Sequence, residues 1–148
     1  MNSTEDYTER LVAQAPLTIR RRVIWGECDP AGVVYTPRFA DYAASAATWF
    51  IRVVARPGLG DAVGTPMKAM TFEFFKTMKP DEVFDMVVFV TAIRERTFDL
   101  RIDARGLDGD RRFSATMTPI LIERATFKSV AIPDSCRKIL AEYKDNHQ

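Results

Sequence analysis

The feature that most constrains this chain is the run from Pro37 to Ala55. Its large apolar residues Phe39, Tyr42, Trp49, Phe50, Val53 and Val54 recur at helical spacing. Between them Ala40, Ala43, Ala44, Ser45, Ala46 and Ala47 leave little side-chain bulk along the middle, so another element can approach the helix closely. Thr36 is a plausible N-cap, and Pro37 suits a first helical position because its missing N–H would have no intrahelical partner there. Pro57-Gly58 supplies a stop. The spacing predicts one long helix.

Strands surround it. Leu17 to Trp25 reads as an early strand ending at Gly26, and four more follow the helix: Met67 to Met78, Val83 to Arg94, Thr97 to Arg105 and Arg111 to Glu123. Lys79-Pro80-Asp81 and Gly106-Leu107-Asp108-Gly109 are the turn signals of an antiparallel meander. Phe98, Leu100, Ile102 and Ala104 alternate with polar residues, the period of a strand with one buried and one wet face. Val83 to Ile93 reads as buried on both faces. Asp134 to Tyr143 suits a short amphipathic helix after Pro133. One long helix followed by consecutive strands is an α+β arrangement, an antiparallel sheet covering a single central helix.

At 148 residues the chain suits one domain, residues 1–148, with residues 1–16 as an N-terminal extension. The formal net charge of +1 supplies no bulk attraction to nucleic acid or to an anionic membrane, so neither is expected as a partner. The longest apolar stretch, Val83 to Ile93, contains Asp85 and is far too short to span a bilayer. Cys28 and Cys136 lack C-x-x-C spacing and Met1 to Gln14 is polar and acidic, which points to a reduced, cytoplasmic protein.

The single histidine, His147, is the next-to-last residue, where chain ends usually fray. A Ser-His-Asp triad, a Cys-His pair, a histidine-ligated zinc site and a histidine-based dehydratase or isomerase all need a rigidly held imidazole. Carboxylate chemistry with water remains, and it requires no metal and no cofactor.

Polar, turn-forming and apolar residues crowd together from Trp25 through Glu27-Cys28-Asp29-Pro30-Ala31-Gly32-Val33-Val34-Tyr35-Thr36 to Pro37, from strand end to helix start. Asp29 therefore belongs to a turn whose other end is a helix N-terminus, where unpaired N–H groups favour negative charge. A carboxylate beside such donors suits hydrolysis of an ester or thioester: one group attacks or activates water while the N–H groups stabilise the forming oxyanion. An Asp before Pro also commonly just orders a turn or caps a helix, and on local chemistry alone that reading is the stronger one.

The same segment resembles the signature of the 4-hydroxybenzoyl-CoA thioesterases of the hot-dog fold superfamily. Pro37-Arg38-Phe39, Gly64-Thr65-Pro66 and Arg94-Glu95-Arg96-Thr97-Phe98 resemble family segments in the right order, so the resemblance covers residues 20–123. It implies a hot-dog fold, a sheet wrapped around one long helix. It implies hydrolysis of an acyl-CoA thioester, with Asp29 as nucleophile or general base and the main-chain N–H of Thr36 polarising the carbonyl. Gly32, Tyr35 and Thr65 fall to substrate binding by the same resemblance, and Arg94 and Arg96 match positions that hold the phosphates of coenzyme A. A homodimer or homotetramer with interfacial active sites is implied as well.

Thr36 stands where the 4-hydroxybenzoyl enzymes carry an aromatic hydroxyl, Ala44 stands near a helical acid, and Glu95 replaces a basic residue. These departures remove the partner of a 4-hydroxyl and leave another aryl or a medium acyl group open. Asp41 on the helix is the second choice of carboxylate, and Glu73 could also reach a cleft. Cys28 has no evident means of lowering its pKa and reads as a packed residue. Phe72, Phe74 and Phe75 read as core and subunit contacts. The alternative from another class is a non-catalytic acyl-CoA-binding sensor.

Overall fold

The alternation read in the strands governs the architecture. The computed structural model describes residues 7–148, and its main sheet has the order β1-β2-β5-β6-β7-β4 with every neighbouring pair antiparallel. The strands are β1 (Glu9–Gln14), β2 (Leu17–Arg22), β4 (Met67–Phe74), β5 (Val83–Ile93), β6 (Phe98–Gly106) and β7 (Arg111–Pro119). Two short strands, β3 (Val63–Gly64) and β8 (Ile122–Glu123), pair separately.

In β6 the residues Phe98, Leu100, Ile102 and Ala104 are buried and their neighbours are wetter, as the alternation predicts. The strand β5 departs from expectation. Phe84, Met86, Val88 and Val90 are buried, whereas Val83, Asp85, Val87 and Phe89 are only half-buried. A helix covers one face only, and the other bears the ion pair in which Arg20 donates twice to the Asp85 carboxylate, at 2.8 and 3.0 Å. A continuous apolar run does not by itself distinguish a doubly covered strand from this one.

Against the inner face lies α1 (Arg38–Phe50), which buries Phe39, Tyr42, Ala43, Ala46, Ala47 and Phe50. Each large side chain so removed from water contributes roughly 1.5–3 kcal/mol. The helical backbone continues past the expected stop, through a π turn at Ile51–Ala55 into α2 (Arg56–Leu59), and ends at Gly60 with φ +74°. The π turn places Pro57 at the start of a fresh α turn, where its missing N–H costs no intrahelical bond. The N-cap position is Pro37 rather than Thr36, and no side chain caps it.

Helix α3 (Asp134–Asn146) closes the fold behind α2, with Cys136, Leu140 and Tyr143 buried. No described helix is long and apolar enough to cross a membrane. Residues 9–14 of the expected N-terminal extension form the edge strand β1, and its first six residues lie outside the described residues.

Candidate active site

Asp29 sits at the tip of a small hairpin. An isolated bridge joins Cys28 to Val34, and the Tyr35 N–H donates to the Glu27 carbonyl at 2.9 Å. At the tip the Asp29 N–H donates to Val33 O and the Gly32 N–H to Asp29 O, both at 2.9 Å. Pro30 presets the first turn torsion, and Gly32 takes φ +81°, a conformation that L side chains resist.

The two carboxylate oxygens of Asp29 differ in their partners. Oδ1 accepts the Ala31 N–H at 2.9 Å and so orders the turn. Oδ2 has no hydrogen-bond partner among the described residues, and the side chain is half-buried. A second free group lies seven residues further along the chain. The Thr36 N–H donates to none of the described residues, because the helix is entered through tight turns that take the Arg38 N–H to Tyr35 O at 2.8 Å and the Phe39 N–H to Thr36 O at 3.1 Å.

Asp29 and Thr36 line one cavity of about 360 Å³ with Val33, Phe39, Phe74 and Phe75, and Lys76 stands at its margin. Its aromatic walls are braced: the Phe39 ring meets Phe74 edge-on at 5.0 Å and Phe113 at 5.3 Å. A free carboxylate oxygen, a free main-chain donor and an apolar wall are what hydrolysis of an acyl group requires.

The other expected residues are spread out. Gly32 belongs to the same hairpin, and Tyr35 is exposed beside it. Thr65 lines a separate cavity of about 190 Å³ with Thr48, Ile51, Arg52 and Arg56, at the far end of α1. Arg94 and Arg96 follow the end of β5, whereas the hairpin of Asp29 lies beside Met78, before the start of that strand. An eleven-residue strand rises roughly 33 Å. Within the single chain these arginines are therefore not brought to Asp29. Arg94 donates twice to Asp99, at 2.9 and 2.8 Å, and Arg96 donates to Ser129 Oγ at 2.7 Å. The bonds from Arg94 hold the Asp99 carboxyl below its ordinary range, with Thr118 adding to the effect.

Neither alternative carboxylate shares the cavity. Asp41 is exposed and pairs with Arg38 at 3.2 Å, and Glu73 lines a shallow groove with Thr71 and Ser114. Burial, and then the charges of Glu27 and Asp29, push the Cys28 thiol up, which disfavours a thiolate.

Spacing did not single out Glu27 and Arg21, and it placed Tyr42 only in the apolar stripe of the helix. Glu27 is 7% exposed, and its carboxylate is paired with Arg21 and accepts the Tyr42 hydroxyl at 2.9 Å. An acid in a turn ordinarily faces water, and partners six and fifteen residues away carry no local signal.

Residues 23–140 match the family model described as the Thioesterase-like superfamily. A 4-hydroxybenzoyl-CoA thioesterase from Pseudomonas sp. (strain CBS-3) is 27% identical over 88 residues, 55% of this chain and 62% of that enzyme's length. Among solved structures, a gentisyl-coenzyme A thioesterase superposes with TM-score 0.74 at 19% identity, covering 83% of this chain and 98% of its own. The Staphylococcus aureus protein SAV2348, solved in complex with CoA, gives TM-score 0.80 at 15% identity, covering 96% and 89%. At these identities the structural likeness shows the fold alone, and that fold is the hot-dog fold of thioesterases.

Proposed function

The chain belongs to the thioesterase-like superfamily, and from that premise we propose that it hydrolyses an acyl-CoA thioester to the free acid and coenzyme A at the cavity shared by Asp29 and Thr36. Superfamily membership supports the reaction type. The observation that carries the site is that Asp29 and Thr36, whose Oδ2 and N–H have no partner among the described residues, line the same cavity at the start of α1.

Two routes give the same products. As nucleophile, Asp29 Oδ2 attacks the thioester carbonyl, the C–S bond breaks to release the CoA thiolate, and water hydrolyses the resulting mixed anhydride. As general base, Asp29 takes a proton from water, which attacks the carbonyl, and the proton ends on the departing thiolate. In both, the Thr36 N–H donates to the oxygen that gains charge.

The walls of Phe39, Phe74 and Phe75 favour a flat, apolar acyl group, and an aryl-CoA is the substrate we propose. The Pseudomonas enzyme and the gentisyl-coenzyme A thioesterase are named for hydroxyaryl thioesters, but the Ala44 side chain offers no hydrogen bond to a ring hydroxyl. In this reading Gly32 and Tyr35, in the same hairpin as Asp29, contact the substrate beside the cavity.

Arg94 and Arg96 reach coenzyme A phosphates in this reading as the contribution of a second subunit, because one protomer keeps them a strand's length from Asp29. The edge strand β4, exposed along most of its length, ending at half-exposed Phe74 and followed by Phe75, supports pairing of two copies there. Thr65 then serves the acyl or pantetheine end from the same partner. A reducing, cytoplasmic setting fits Cys28 and Cys136, which are both free thiols.

The test is thiol release across benzoyl, hydroxybenzoyl, phenylacetyl and straight-chain CoA esters. The reading expects turnover, with aryl esters preferred by kcat/KM and no gain from a 4-hydroxyl. Absence of thiol release from every ester contradicts it.

A further inference from the structure

Among the described residues Glu27 is the one buried carboxylate, and such a group is tolerated only when its charge is paired and its oxygens accept hydrogen bonds. Both conditions are met by three separate parts of the chain. Oε1 accepts the Tyr42 hydroxyl from α1 at 2.9 Å and the Ile24 N–H at 3.0 Å, and Oε2 is paired with Arg21 of β2. Burial, followed by the bond to Glu27, pushes the Tyr42 hydroxyl well above the ordinary phenol range, so it remains a donor.

The cluster extends beyond Glu27. Arg21 Nη1 also donates to Glu9 Oε2 at 3.3 Å, and Glu9 Oε1 accepts Trp49 Nε1 at 2.7 Å and the Ser45 hydroxyl. Tyr42, Ser45 and Trp49 stand at i, i+3 and i+7, so they form one polar seam down a face of α1. The seam fastens the helix to β1 and β2 where an apolar stripe would have served packing alone.

Glu27 sits where this seam meets the hairpin of Asp29. Its carbonyl accepts the Tyr35 N–H that closes the hairpin, while its side chain grips Tyr42 of α1, six residues after Thr36. The carboxylate at the hairpin tip and the donor at the helix start are thus set relative to each other through one residue.

We infer that Glu27 is a positioning residue, clamped by Tyr42 and Arg21, that fixes Asp29 against the Thr36 N–H. This rests on the reading of Asp29 as the reacting carboxylate. Small displacements of a reacting group cost rate rather than affinity, and misplacement by an ångström lowers turnover by about 100-fold.

Glu27→Gln keeps an acceptor for Tyr42 and Ile24 but has no charge for Arg21, and Tyr42→Phe removes the helix-side grip without touching any charge. Each should lower kcat for a reactive aryl-CoA by about 10- to 100-fold while KM stays within about 3-fold. A merely structural role would lower the melting temperature without this split below the transition. Glu27→Gln placed on Asp29→Asn should leave the residual turnover of Asp29→Asn unchanged within about 2-fold, since the clamp has nothing left to position. If Glu27→Gln does not fold, Tyr42→Phe alone and with Asp29→Asn carries the same test. A kcat within about 2-fold of wild type in the folded variants, or a loss that multiplies that of Asp29→Asn, overturns the inference. Full turnover by Asp29→Asn alone instead removes the reading of Asp29, and is seen with Glu27 intact.

Discussion

The hydroxyl of Tyr143 donates to the carbonyl oxygen of Val88 at 2.6 Å, and it accepts the Leu17 N–H at 2.8 Å. It thus stands where the ladder between β2 and β5 would otherwise continue past Thr18 and Val87. All three residues are buried, so water does not readily replace these two bonds. Tyr143→Phe should destabilise the fold by about 2–4 kcal/mol, given roughly 1–3 kcal/mol for each buried group left unpaired. Urea unfolding measures this, and a loss under about 0.5 kcal/mol contradicts it.

At Gly58, α2 packs directly against the backbone of α3. A Cβ there would lie 2.6 Å from Cys136 Cα and 2.7 Å from its nitrogen, and backbone atoms cannot turn aside as a flexible side chain can. Gly58→Ala should destabilise by roughly 1–3 kcal/mol or more, despite the higher helix propensity of alanine. A thermal melt reads the sign directly.

Burial pushes the Cys136 thiol up from 9.0 to about 11. A thiol is neutral when protonated, so its contribution to stability is complete below pH 9 and is lost as pH rises through about 11. Stability should therefore fall across that window, and Cys136→Ala should flatten the fall. Burial raises the Tyr143 hydroxyl as well, which leaves a residual alkaline slope. Unfolding free energies between pH 8 and 11 compared for the two proteins check this.

Arg96 lies outside the chemistry in the proposed site. Arg96→Ala should raise KM by about 10-fold and change kcat by less than about 2-fold, as removal of a remote phosphate contact does. Steady-state kinetics decide it: an unchanged KM moves the coenzyme A phosphates away from this turn.

Much of the fold was legible because it rests on repeating patterns. The alternation of Phe98 through Ala104 and the thin, periodic middle of α1 each reflect a single contact surface. Features set by distant partners were not legible. The strand β1 hides in a polar N-terminal stretch whose Glu9 and Arg10 look solvent-facing until Glu9 meets Trp49 and Ser45. Helical backbone through Pro57 depends on a π turn that no residue in Ile51–Ala55 announces. The proline and the nearby helix start marked Asp29 as a turn residue, and only the family resemblance made it a candidate catalyst, whereas Glu27 acquires its pairing only when β2 and α1 close over it.

Thiol release by Asp29→Asn, measured on the aryl-CoA ester that the wild-type protein turns over fastest, tests the proposed chemistry most directly. The substitution keeps an oxygen to accept the Ala31 N–H and so preserves the hairpin, but removes the free carboxylate oxygen. A fall in kcat of about 100-fold or more, with the protein folded and coenzyme A still bound, is the predicted result. Turnover equal to that of the wild type contradicts it.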